Sequence, residues 1–220
     1  MSPPELATAI AADLRSMVDL AGDAAVDDLL RRGLDWVGRL APYDLATIFT
    51  LHDRSLVVRA ARGNLAGKVR EHSLDLADFP TLREALETRR ARAFTEDDHR
   101  HGDGDPFDGV LDLPPGHACM VVPLHAAGRS LGVMTLDRTT CETYPQSVVE
   151  LVETYGQILG LALENAEQRL ALERLRQQEQ QHAAGGHHPR GEDIGRVQVA
   201  LHCCTSSGRA ASNTRRRSTV

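Results

Sequence analysis

His117-Ala-Cys-Met-Val-Val-Pro-Leu124 runs on through Gly128 into Ser130-Leu-Gly-Val-Met-Thr-Leu-Asp137, and this stretch decides the fold. Both halves alternate with the period of a strand. His117, Cys119 and Val121 share one face, with Met120, Val122 and Leu124 on the other; Leu131, Val133, Thr135 and Asp137 likewise share a face. Ala127-Gly-Arg129 between them predicts a hairpin. With a three-residue turn there, Ala126 pairs with Ser130, and counting back places Cys119 opposite Asp137 on one face. A slip of one residue would separate them.

The elements around this hairpin follow from period and punctuation. Leu6, Ile10, Leu14 and Val18 recur at helical spacing, as do Val26, Leu29, Leu30, Leu34, Val37 and Leu40. Two helices are expected, broken near Ala21-Gly-Asp23, with Pro42 stopping the second. Leu45–Leu51 and Leu56–Ala61, separated by His52-Asp-Arg-Ser55, read as an antiparallel pair. Pro80 opens a short helix over 79–87. Residues 95–116, rich in Asp, Gly, His and Pro, form a long loop that includes the acidic turn Asp105-Pro-Phe-Asp-Gly109. From Pro145 a long helix begins, with Val148, Val152, Tyr155, Leu159, Leu163, Ala166 and Leu170 spaced as a coiled-coil seam, and this predicts a homodimer through that helix. The class is α+β, with a central antiparallel sheet, helices packed on one face and a long C-terminal helix. The expected organisation is an N-terminal helix over 1–22, a core domain over 23–165, a coiled-coil linker helix over 166–181 and a disordered basic tail over 182–220.

Charge divides along the same lines. Residues 1–181 hold 19 Lys and Arg against 29 Asp and Glu, a balance of −10, and residues 182–220 hold six Arg against Glu192 and Asp193, a balance of +4. A net-acidic domain repels nucleic acid, so direct DNA binding is not expected. No apolar run approaches the ~20 residues a membrane span needs, and the N-terminus lacks the pattern of a signal peptide. Cysteines at 119, 141, 203 and 204 fit neither a disulfide framework nor a structural zinc site, which points to a reducing cytoplasm.

Two motif look-alikes fail on their chemistry. Gly63-Asn-Leu-Ala-Gly-Lys-Val69 is one residue short of a phosphate loop and has no hydroxyl for magnesium, and Lys68 is the only lysine in the chain. Asp103-Gly-Asp-Pro-Phe-Asp-Gly109 mimics a calcium loop, but Phe107 takes a ligand position and Pro114 the place of the bidentate glutamate. What remains is Asp108, Cys119 and Asp137, a loop carboxylate beside a thiol and a carboxylate on adjacent strands. Such a set suits a ferrous ion, which would neutralise charges that are costly to bury. The structural alternatives are a buried Cys119 acting as a small hydrophobe, Asp137 capping a strand, and His117 as a satisfied loop histidine.

Asp105–Gly109 and His117–Asp137 resemble the nitric-oxide-sensing GAF domain of NorR-type bacterial enhancer-binding regulators, over roughly residues 43–181. The resemblance implies a GAF fold and a regulatory, non-catalytic role in a bacterial transcriptional regulator, with nitric oxide bound at a non-haem Fe(II) and the chain in the cytoplasm. It carries the iron ligands onto Asp108, Cys119 and Asp137 and places His117 behind the ligand cysteine. Thiolate and carboxylate ligands increase electron donation to nitric oxide, and ligation requires Cys119 to lose its proton, so binding should depend on pH. Two positions depart from the family. Phe107 stands for a tyrosine and Thr81 for an arginine, and His99 or His101 are the candidates for a missing ligand. Glu192-Asp-Ile-Gly195 resembles the start of the regulators' ATPase domain and the likeness stops there, which suggests a truncated or frameshifted regulator lacking ATPase and DNA-binding domains. The alternatives are a metal-free GAF module for small-molecule binding or dimerisation, and a methionine sulfoxide reductase. The latter would need a resolving thiol beside Cys119.

Overall fold

The computed structural model describes residues 23–95, 106–107, 109–111, 113–114 and 117–185, together with Glu5, Thr8, Ala9 and Ala12, which are helical. The expected helix over 1–22 and the tail therefore lie largely outside the described residues, as do Asp108, His99 and His101.

Helix α1 (Asp23–Leu40) buries Val26, Leu29, Leu30, Leu34 and Val37 along one stripe, and Pro42 lies just beyond its end. Strands β1 (Leu45–His52) and β2 (Ser55–Gly63) form the expected antiparallel pair, joined at His52↔Ser55. A 3-10 turn (Ala66–Lys68) leads to β3 (Ser73–Asp75), a strand too short for its period to be read from the residues. Helix α2 (Pro80–Thr88) starts on its proline and ends where Arg89 turns left-handed and donates its N–H to the Ala85 carbonyl. Then come β4 (Arg92–Thr95), β5 (Ala118–Ala126), β6 (Arg129–Arg138) and helix α3 (Gln146–Gly185). The six strands lie in the order β3-β2-β1-β6-β5-β4, every neighbouring pair antiparallel.

The sheet separates two cores. Helices α1 and α3 cover one face, over Ala46, Ile48, Met120, Val122, Leu124, Met134 and Leu136. Helix α2 and Phe107 cover the other, over Leu45, Phe49, Phe94, Cys119, Val121 and Val133.

Three expectations need correction. The β5–β6 turn is a residue shorter than the spacing suggested: Ala126 pairs with Arg129, around Ala127 and Gly128 at φ +46° and +83°. Positive φ at both positions matches the right-handed twist of a hairpin. A bulge at Leu131 then restores the missing residue, because His125 faces Ser130 while Leu124 faces Gly132. Second, helix α3 continues to Gly185, so residues 182–185 belong to the helix. Third, most of the stripe expected to form a coiled-coil seam is internal. Val152, Tyr155, Leu159, Leu163 and Ala166 are all buried in the chain's own core. Close packing explains this: a Cβ on Gly156 would come within 2.6 Å of Val122 Cγ1, and one on Gly160 within 2.7 Å of the His125 carbonyl oxygen. Small residues at these positions let the helix lie directly on β5.

Candidate functional site

The face under α2 carries one row of side chains at the end of the sheet. Leu45 pairs with Asp137, Asp137 with Cys119, and Cys119 with Phe94, across four strands. Directly opposed residues in antiparallel strands point to the same side. Cys119 and Asp137 are thus neighbours, at 5% and 3% exposure. The sequence-predicted opposition holds, reached through the two-residue turn and the Leu131 bulge together.

The next row is Thr47, Thr135 and Val121. Thr47 and Thr135 hydroxyls lie 2.7 Å apart, and Thr135 Oγ1 donates to Asp137 Oδ2 at 3.3 Å. The single hydroxyl proton of Thr135 goes to the Asp137 oxygen, so Thr47 gives its own to Thr135. This ordered pair of hydroxyls holds a buried carboxylate that would otherwise be costly. Sequence reasoning passed over Thr47; its signal was a polar residue between Leu45 and Phe49 on an otherwise apolar face.

His117 is buried just before β5, its N–H bonded to the Pro114 carbonyl at 3.1 Å. The acidic turn is anchored from beneath. Phe107 is fully buried, its ring stacked on Phe49 at 5.8 Å and 29° and tilted against His72, and His72 Nε2 donates to the Pro106 carbonyl at 2.8 Å. The turn that carries Asp108 is therefore docked on the same sheet face as Cys119. Asp108 itself lies outside the described residues. Thr81 lies in the first turn of α2.

Two groups beside the row are electrostatically distinct. Burial pushes the Tyr144 phenol well above its ordinary range, and the nearby Asp137 carboxylate adds to this; its hydroxyl donates to the Pro42 carbonyl at 2.9 Å. Asp44 is held below the usual carboxylate range by the Thr139 N–H at 2.7 Å and the Thr139 hydroxyl at 2.8 Å.

For a ferrous ion, Cys119 and Asp137 fit one side of a site, as borderline and hard donors adjacent to each other and shielded from water. Two ligands do not complete a site. Among the described residues no group of three or more His, Cys, Asp or Glu stands together to hold a metal, so a further ligand would have to come from outside them. Open clefts of about 350 and 380 Å³ lie elsewhere, the first lined by Arg59, Arg129 and Arg174 and the second by Arg31, Arg62 and Arg70; neither includes Cys119 or Asp137.

A family model described as GAF domain matches residues 25–165. The chain belongs to the GAF domain family. It is 30% identical over 128 residues to the regulatory protein LuxO of Vibrio cholerae serotype O1, a match covering 56% of this chain and 23% of that protein. The chain thus spans less than a quarter of the length of this curated relative. The GAF domain of an Acinetobacter phosphoenolpyruvate-protein phosphotransferase has the same fold at TM-score 0.59 and 15% identity, covering 76% of this chain and 96% of that one. The GAF-B domain of DevS from Mycobacterium smegmatis matches at TM-score 0.52 and 16% identity, covering 68% and 98%. The GAF fold accounts for the curled antiparallel sheet with a long C-terminal helix against it. No helix among the described residues is long and apolar enough to cross a membrane.

Proposed function

We propose that this chain is the signal-receiving GAF domain of a cytoplasmic bacterial transcriptional regulator, non-catalytic, which senses nitric oxide at a ferrous ion held by Asp108, Cys119 and Asp137. The reading is carried by one observation: Cys119 and Asp137 are buried side by side on the face against which the Phe107 turn docks. A bound ferrous ion would supply the open coordination position at which nitric oxide is captured. The protein's own residues do the rest. Thr135 orients the Asp137 carboxylate through its hydroxyl, the Phe107 and Phe49 rings exclude water, and His117 flanks the thiol from two residues away. We further propose that the regulator is a homodimer joined along α3, with no direct contact to DNA.

Metal analysis of anaerobically reconstituted protein, with electron paramagnetic resonance after adding nitric oxide, tests the reading. Stoichiometric iron and a high-spin signal, both lost in Cys119→Ser and Asp108→Ala, are expected. Absence of bound iron overturns it. A metal-free small-molecule module is the second reading, favoured by Phe107, whose buried ring puts hydrocarbon where a tyrosine would offer an oxygen. Full-length protein without iron that still binds a small organic ligand on this face would establish it.

A further inference from the structure

The glycine-rich stretch Gly63–Val69 leaves the end of β2 and runs past a cleft lined by four arginines. Strand β2 pairs with β3 only over Ser55–Val57, and the Val58 N–H then donates to the His72 carbonyl at 2.9 Å. Between those points the chain forms an arch over residues 64–71, fastened at its start by the Asn64 N–H on the Asp44 carbonyl at 3.0 Å. Beneath the arch, Arg59–Arg62 have no strand on their outer side among the described residues. Leu65 and Ala66 pack the arch against the core that contains Cys119, and α1 covers the other face of the sheet. A cleft of about 380 Å³ opens between arch and helix, with Ala60 and Ala61 in its floor.

Arg31, Arg59, Arg62 and Arg70 line this cleft against Asp27 and Glu71, an excess of two positive charges within a net-acidic domain. Lys68, the chain's only lysine, is exposed on the same arch. None of the arginines is fully engaged. Arg59 bonds Asp27 through Nε at 2.7 Å and keeps its Nη1 and Nη2 donors; Arg62 bonds Asp35 through Nε and Nη2 at 2.7 and 3.3 Å and keeps Nη1. Arg31 stands 3.8 Å from Asp28, a carboxylate that Arg32 already holds at 2.8 Å. Arg70 is exposed and makes no ion pair among the described residues. Exposed pairs of this kind are weak and give way to a better partner. The planar fork of a guanidinium matches two oxygens of one phosphate.

We infer that this cleft binds a small polyanion carrying two or more adjacent phosphate groups. The excess of charge calls for more than one negative group, and the alanine floor leaves room for it among the guanidiniums. The fastenings at Asn64 and His72 close the cleft along the strand, which suits a compact ligand and leaves no run for an added β-strand. Val69 stands where a phosphate loop places its magnesium-binding hydroxyl, so the anion is held without that metal and is not cleaved. The inference does not rest on the iron reading, because Cys119 and Asp137 lie outside this cleft.

The test is calorimetric titration of the full chain with sodium tripolyphosphate, and separately with adenosine triphosphate, at near-physiological salt with EDTA present. One site per chain is expected for at least one of the two, and the tighter binder tells an inorganic chain from a nucleotide. The double variant Arg31→Ala, Arg70→Ala should weaken binding at least about tenfold. Both side chains are exposed, so its circular dichroism should be unchanged. Arg70→Glu alone should weaken binding further than Arg70→Ala, since it reverses the charge. Arg174→Ala, in the other cleft, should leave binding as it is. No binding of either anion overturns the inference, and so does binding that requires magnesium. Binding that survives the loss of Arg31 and Arg70 also overturns it, and would assign the anion to the arginine-rich residues 209–217.

Discussion

Cys119 and Asp137 face each other across the β5–β6 ladder, and the Asp137 carboxylate is held by a hydroxyl chain from Thr47 through Thr135. The same row presses Leu45 and Phe94 against them. A polar pair so enclosed is stable when each hydrogen bond is made, and the chain of hydroxyls serves that end.

Thr135→Val keeps the shape and removes the hydroxyl. Asp137 loses a donor and Thr47 an acceptor, both out of reach of water. Stability should fall by about 2 kcal/mol, read as a lower urea midpoint at unchanged slope. If Asp137 takes part in metal binding, iron affinity should fall in the same variant. Unchanged stability would mean that the hydroxyl chain does not hold the carboxylate.

Phe107→Ala should cost about 3–4 kcal/mol, because the ring is fully buried on Phe49 and His72. The loss should be accompanied by faster amide exchange at the turn, since Phe107 is what anchors it. Phe107→Tyr tests the site separately: an oxygen placed at this position should tighten iron binding if the turn lies over Cys119.

How much of this was legible in advance differs by residue. The two faces of each strand could be read because alternation along a strand survives any detail of the turn, but the opposition of Cys119 and Asp137 across the two strands relied on two compensating features. Ala127 gives no hint that it adopts positive φ, and no residue at Leu131 marks a bulge; the two differences cancel. Helix α3 shows the opposite case. Two apolar stripes run along it, the buried one and the exposed Leu151, Ile158, Leu161, Leu172 and Leu175, and period alone does not tell which one faces home. Gly156 and Gly160 were the signal, because glycine where a helix meets a strand marks close backbone approach. Thr47, and the hydroxyl role of Thr135, escaped notice because threonine is ordinary in strands.

Acid and alkali should weaken the fold through different residues. Asp44 is held below its ordinary value of 3.8, so its share of stability is present above that pH and lost as pH falls through the depressed value. Asp44→Asn should flatten the stability curve below about pH 4, by less than about 1 kcal/mol because solvent screens the group. Tyr144 is raised above its ordinary 10.0, so the unfolded chain loses its proton first and stability falls as pH rises past that value. Tyr144→Phe should remove this alkaline loss and cost about 1 kcal/mol at neutral pH through the missing bond to Pro42. Melting temperatures across pH, with phenolate absorbance, check both.

The two stripes of α3 predict opposite phenotypes for charges two residues apart. Leu159 is fully buried among α1, the sheet and Tyr155, whose hydroxyl bonds the Gly33 carbonyl at 2.9 Å. Leu159→Asp removes that packing and buries an unpaired carboxylate, for a loss of about 4 kcal/mol or more. The domain should unfold or aggregate, and any loss of dimer would follow from the loss of the fold. Leu161 is 53% exposed, so Leu161→Asp leaves the core intact and its melting curve should become independent of protein concentration. Circular dichroism with light scattering separates the two. A folded Leu159→Asp monomer would place the dimer seam on the inner stripe.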